Sequence, residues 1–239
     1  MESPLLLALS RQLAVRDQME SIANNVANMS TPSYKGERTL FHEYLNGQKG
    51  PTQTIFPQLK GLFRETMEGP IAATGNSLDV ALRGKGFLVV EAPNGIRFTR
   101  DGHLSLNNKN QIVTQQGLPV LGVNNRPMTV PQDSKSITID TDGSIFAGDA
   151  RVGKFKLVNF ENEQRLVRAG DGLYKTDAAQ LPVKDLEVEQ YSLESSNIQP
   201  VLEITRMIEA SRIYQSAQNI VNSEDERIRK TIERLAKVA

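Results

Sequence analysis

The residues able to hold a metal or move a proton are few and poorly grouped. His42 and His103 are the two histidines of the chain, and neither has a second ligand three or four residues away, the spacing that would set two donors on one helix face. Both read as surface or turn residues. The run Asp140-Thr141-Asp142-Gly143-Ser144 begins like a calcium loop, but Arg151 stands where the closing glutamate of a twelve-residue loop belongs, so a tight β-turn accounts for it. Gly84-Lys85-Gly86-Phe87 brings two glycines together without the third glycine or the following helix that a phosphate cradle needs, and reads as a turn between strands. No nucleophile elbow, zinc-protease helix or Walker sequence occurs. These types and spacings predict no enzyme, no metal and no cofactor.

Composition narrows the field further. The 239 residues contain no cysteine and no tryptophan, which excludes disulfides, thiol nucleophiles, zinc ribbons and iron–sulfur ligation. The 28 basic and 28 acidic residues cancel, so no net field points to nucleic acid or to an anionic lipid surface. The opening MESPLLLALSRQ sets an acidic residue before a short apolar run, without the basic segment of a cleaved secretory signal. No apolar run reaches spanning length, and direct membrane insertion is not expected.

What stands out is architectural. Val15, Met19, Ile22, Val26 and Met29 follow each other at steps of three and four, one stripe on one helix face, with Leu6, Leu9 and Leu13 beside it. Ser3-Pro4 suits a helix start and Thr31-Pro32 an end, which predicts a helix over about 4–29. After Pro200 neither glycine nor proline recurs, and Met207, Ala210, Tyr214, Ala217, Val221, Ile228 and Leu235 keep the same rhythm, broken by Glu224 and Thr231. Between these ends the period drops to two: Leu78, Val80 and Leu82 alternate, Phe87 to Val90 form an apolar run, and Asn94-Gly95 offers a hairpin turn. Asp101-Gly102 and Asp142-Gly143 repeat the turn signal, and further strands are predicted at 104–106, 112–114, 137–139, 153–160 and 173–175. The fold class expected is α+β: paired long N- and C-terminal helices, coiled-coil-like, flanking an all-β domain inserted between them. Residues 1–32 form the first helical part, 33–70 an extended connector, 71–190 the β domain and 191–239 the second helical part.

Two long amphipathic helices carry more apolar face than a β domain of about 120 residues needs. Burying an aliphatic side chain gains roughly 1.5–3 kcal/mol, whereas ordering each backbone residue costs roughly 1–2 kcal/mol. Each helix therefore needs partners, and pairing the two covers only one face. Asp17, Ser21, Asn24 and Asn28 form a polar stripe on another side. Asparagine is a poor helix former, so a solvated face would do better with Glu or Lys; short amides suit hydrogen bonds that fix register between packed helices. The surface expected to meet other subunits comprises Leu6, Leu9, Leu13, Val15, Met19, Ile22, Asn24, Asn25, Val26, Asn28, Met207, Tyr214, Val221, Ile228 and Leu235.

The stretch SRQLAVRDQMESIANNVANMSTPSYKGE resembles the N-terminal signature of the flagellar axial proteins, the rod and hook group. The residues carrying the match are Ala23, Asn24, Asn25, Val26, Ala27, Asn28, Thr31, Tyr34 and Lys35. NSLDVALRGKGFLVV and FTRDGHLSLNNKNQIVTQQGLPVLG are similar to the start of that group's β domain, and SSNIQPVLEITRMIEASRIYQSAQNIV to its C-terminal helix. Within the group the chain is nearest the proximal-rod branch, with the distal-rod branch as the alternative. Pro32-Ser33 stands where Thr-Gly is common, and Gln199 replaces the asparagine that usually precedes the proline. The resemblance implies a rod subunit of the flagellar basal body that crosses the periplasm. It implies export through the flagellar type III apparatus without a cleaved signal, and packing of the terminal helices with other rod proteins and copies of itself around a central channel. Two rival readings remain from residues alone: a ligand-binding or enzymatic β domain with oligomerising helical arms, and an adhesin-like module, which aromatic residues at 5% disfavour.

Overall fold

The computed structural model describes all residues except 1–3, 46–54, 133–135, 184 and 239, and the side chains of all of these except 4–7, 41–45, 55–60 and 237–238. The fold is α+β, with an N-terminal helix α1 (Pro4–Ala27), a middle built mostly of strands, and a C-terminal helix α2 (Pro200–Val238). The chain forms two compact units: Met1–Ala27, Glu37–Glu65 and Gln199–Ala239 make the first, and Asn28–Gly36 with Thr66–Ile198 the second.

In the first unit, the stripe of α1 meets the stripe of α2. Val15 and Ile22 are buried in one cluster with Ala210, and Met19, Val26, Met207, Ile213 and Tyr214 pack around them. The helices run antiparallel, since Gln12 Nε2 donates to Gln218 Oε1 at 2.7 Å while, toward the other end, Asn25 Nδ2 donates to Glu203 Oε2 at 3.3 Å. α1 ends at Ala27 rather than at Met29. A turn follows at once, with Thr31 N–H donating to Asn28 O and the Thr31 hydroxyl to Asn28 Oδ1, and Met29 lies exposed beyond the helix.

The expected connector is partly a hairpin. Strands β1 (Glu37–Leu45) and β2 (Ile55–Arg64) pair antiparallel from Glu37↔Arg64 to Leu45↔Ile55, with a register shift between Leu40 and Phe41. That shift, beside Gly61 at φ +152, breaks the alternation that would have revealed two strands in the sequence. The C-terminal helix starts at Pro200, and Ser192–Glu194, expected in its domain, is a strand paired with Ile71–Ala73.

The second unit holds two hydrophobic layers. A six-stranded antiparallel sheet runs in the order 167–168, 173–175, 95–99, 87–92, 157–159, 181–182. Along Phe87–Val90 the side chains alternate between layers: Leu88 and Val90 join a cluster with Val80, Leu82, Ile112 and Phe155, while Phe87 and Val89 join Phe98, Phe160 and Tyr174. A strand covered on both faces is apolar throughout, which is why this run showed no alternation. The aromatic rings meet edge-on, Phe98 and Phe160 at 4.9 Å between centroids.

Three details differ from the sequence reading. Residues 150–154 and 157–159 lie in separate sheets instead of forming one strand over 153–160. Phe155 is only 1% exposed and its N–H donates to Gly143 O, so the chain turns to bury that ring. The Asn94-Gly95 hairpin exists, but Pro93 and Asn94 make the turn and Gly95 opens the next strand at φ +101. Asp101-Gly102 is no turn; a Cβ on Gly102 would sit 1.8 Å from Val80 O, whose residue's N–H donates to Gly102 O. There glycine serves close backbone approach.

Candidate assembly surface

The expected subunit surface divides on inspection into residues spent inside the chain and residues left outside. Val15, Ile22 and Asn25 are buried within the first unit, and Met19, Val26, Met207 and Tyr214 are half-buried against the same cluster. In the single chain the first three present little surface. Outside remain Leu9 and Leu13, each 46% exposed, and Ile228 and Leu235 at 45% and 66%. Asn24 is exposed, and Asn28 and Val221 are half-buried. Leu6 lies on α1, but its side chain is outside the described residues, as is that of His42 on β1.

Asn25 is the most committed of the asparagines. Its Oδ1 accepts the Glu37 N–H at 3.0 Å, its Nδ2 donates to Glu37 O at 2.9 Å, and Ser21 Oγ donates to the same carbonyl at 2.9 Å. One amide thus mimics a strand partner and fixes how β1 begins. Asn25 Nδ2 also faces Glu203, which is 5% exposed and takes a second bond from Arg206 Nη1. Glu203 extends the α2 stripe one step toward its start, at the 203, 207, 210 spacing. Sequence reasoning missed it because a carboxylate does not count as a stripe residue.

Exposed apolar side chains continue along α2. Val201, Ile204 and Ile208 are 76%, 50% and 49% exposed near its start, and Ile220, Ile228, Ile232 and Leu235 are 48%, 45%, 60% and 66% exposed toward its end. At 100° per residue the first three and the last three of these fall on different sides of the helix.

In the second unit, Tyr34 and Lys35 belong to a buried polar cluster. Lys35 Nζ lies 2.5 Å from Glu194 Oε1 and donates to Met67 O at 2.8 Å, while Arg100 Nε lies 3.0 Å from Glu194 Oε2. Arg100 spends its other donors on the carbonyls of Leu82, Gly84 and Gly86, which clamps the 84–86 turn. Burial pushes the Glu194 carboxyl up, but Arg100, Lys35 and the Gly69 N–H outweigh it and hold it below its ordinary value. Burial, helped by Arg100, lowers Lys35 despite Glu194. Asn197 completes the cluster, accepting the Gly36 N–H and donating to Met67 O. Arg168 donates to Lys35 O and stacks 4.3 Å from the Tyr34 ring centroid.

Ser33 departs from ordinary backbone geometry. It has φ +54 and is 5% exposed, at the position where the rod and hook group commonly carries glycine. Its hydroxyl donates to Arg100 O at 2.8 Å and its N–H to Glu194 O. Two bonds offset the left-handed conformation. The segment Asp140–Ser144 is a turn: Asp142, exposed, accepts from the Ser144 N–H, the Ser144 hydroxyl and Lys154 Nζ, and these hold its carboxyl at about 2. His103 is half-buried, with Nε2 3.9 Å from Asp79. No group of three His, Asp or Glu side chains among the described residues could hold a metal ion.

Three family models match the chain along most of its length. Residues 5–35 match "Flagella basal body rod protein", residues 81–147 "Flagellar hook protein FlgE/F/G D1 domain", and residues 189–234 "Flagellar basal body rod FlgEFG protein C-terminal". The flagellar basal-body rod protein FlgF of Caulobacter vibrioides is 35% identical over 247 residues, covering 100% of both chains. This chain belongs to the flagellar basal-body rod family. FlgF of Mesorhizobium japonicum is 29% identical, covering 96% of this chain and 98% of the relative. FlgG of C. vibrioides is 31% identical, covering 95% and 97%. The matches fall on both helices and on the start of the β region, and the rod-family N-terminal match includes Asn25, Ser33 and Lys35. Among the described residues, no helix is long and apolar enough to cross a membrane.

Proposed function

We propose that the chain is a structural subunit of the flagellar rod, of the proximal-rod FlgF type, which polymerises through its terminal helices into a helical tube. The observation that carries this reading is the apolar face of α2, exposed at Ile220, Ile228, Ile232 and Leu235 in the single chain. Contacts between unlike faces that do not close on themselves build filaments, and burying such a face couples each subunit's last helical turns to its neighbours. The α1–α2 pair, continued by helices of adjacent copies, forms a coiled-coil-like inner layer, and the layer transmits torque around the export channel. Partners are copies of the chain and other rod proteins, delivered by the type III export apparatus. The FlgF assignment is preferred to FlgG because, of the two C. vibrioides relatives, FlgF is the more similar and is covered end to end.

The test is incorporation. A cell lacking its own copy of this gene is expected to build no complete rod and to recover swimming on expression of this chain, which then copurifies with basal bodies at the end near the export gate. Recovery at the hook-proximal end instead would assign the FlgG position.

A further inference from the structure

Resting on the rod reading, we propose that the distal stripe of α2 in one copy docks into a groove between α1 and α2 of a second copy. The groove lies where Ala8 of α1 faces Ile213, Ser216, Ala217 and Ile220 of α2, and Arg11 and Arg212 stand exposed at its rim. Ala8 and Ala217 are 6% and 3% exposed, so two small side chains leave a depression of about 220 Å³. That is below the roughly 300–1,000 Å³ of small-molecule sites. It suits branched side chains entering from a helix.

The far end of α2 carries side chains that fit this groove. Because the helices are antiparallel, with Gln12 opposite Gln218 and Asn25 opposite Glu203, Pro4 falls opposite about residue 225. The remaining residues of α2 run about 20 Å beyond it at 1.5 Å each. On this overhang Ile228, Ile232 and Leu235 share one face and are 45%, 60% and 66% exposed. Glu224 and Asp225, four and three residues before Ile228, lie on the two flanks of that stripe, and Arg229, three residues before Ile232, follows Asp225 on one of them, while Arg227, Lys230 and Arg234 fall away from it. The Glu224 flank is thus acidic and meets a basic rim. Glu224 and Asp225 now hold Arg227 and Arg229 of their own helix; the Asp225 pair is exposed and of low value, and the half-buried Glu224 exchanges Arg227 for a rim arginine on docking. The groove and the stripe are different surfaces, so the contact is heterologous and propagates.

The cysteine-free sequence permits a direct test. Full-length Ser216→Cys and Ile228→Cys chains, one of them size-tagged, are co-expressed in a cell lacking its own copy, and isolated basal bodies are oxidised. The expected result is a mixed dimer, at least ten-fold more abundant than either self-linked dimer. Self-linking of Ile228→Cys, linkage to a protein of another mass, or no linkage in basal bodies that contain both chains overturns the pairing and leaves the rod reading standing. Absence of wild-type chain from basal bodies sinks both. A charge exchange is independent of cysteine: Arg212→Glu is expected to reduce swimming, and adding Glu224→Arg to restore it. Failure of restoration, with both variants folded by circular dichroism, counts against the pairing.

Discussion

Single residues here do more than their types announce. Asn25 looks like one more amide beside the polar stripe, yet it holds both backbone groups of Glu37 and a buried carboxylate. Asn25→Ala leaves these groups without that partner, so urea unfolding of the first unit is expected to weaken by about 2–4 kcal/mol. Asn28→Leu is expected to leave both units folded and to reduce incorporation into the rod. At Ser33 two effects of similar size oppose each other: the left-handed backbone costs about 1–2 kcal/mol, and the hydroxyl bond to Arg100 O returns about 0.5–1.5 kcal/mol. Ser33→Gly should therefore lie within about 1 kcal/mol of wild type, whereas Ser33→Val keeps the strain, loses the bond and adds a branched Cβ. A melt in which Val is no worse than Gly would refute that account.

At the scale of elements, the two ends of α2 obey different rules. Its first half packs against α1 around Ala210, which is 2% exposed. Ala210→Leu overfills that seam and should cost the isolated chain about 1–3 kcal/mol. Ile228→Asp on the exposed half should change the isolated chain's stability by no more than about 0.5 kcal/mol, while abolishing assembly. Thermal melts of the monomer beside rod yields separate these outcomes. The hairpin β1–β2 was illegible as two strands because its bulge and glycine interrupt the alternation, whereas α1 and α2 were legible from their three-and-four period, and 87–90 stood out only as an apolar run between turn signals. The Asp140–Ser144 turn was legible too, and Asp142 ties stability weakly to pH. Its folded carboxyl stays charged down to about 2 against 3.8 in its ordinary state, so it contributes above pH 3.8 and loses that contribution as pH falls toward 2. The group is exposed, so the effect is less than about 1 kcal/mol.

For the molecule as a whole, the chain passes between its two units four times, at 27/28, 36/37, 65/66 and 198/199. Inside the second unit, residues adjoining three of these passages are bound together by Lys35, Glu194 and Asn197. Glu194→Gln leaves Lys35 and Arg100 charged and buried, and should destabilise the second unit by about 3–5 kcal/mol. Lys35→Met costs less, because Arg100 still neutralises Glu194. Since the folded Glu194 carboxyl keeps its charge to lower pH than the ordinary 4.5, its contribution is complete above that pH and drains away below it. Lys35, lowered from 10.5, costs stability at neutral pH that returns as pH rises toward that value. The second unit should therefore lose stability on acidification below pH 4.5, and Glu194→Gln should reduce that slope.

The sequence by itself determined the helical stripes, the change of period between them and the resemblance to the flagellar axial group, because each of these is local or written in residue type. Only the tertiary structure decided which stripe residues are used up within one chain, that Asn25 and Glu203 meet across 178 positions, and that Lys35, Arg100 and Glu194 share one buried site. Those outcomes depend on which distant segments come together to satisfy buried polar groups, and no period along the chain records that.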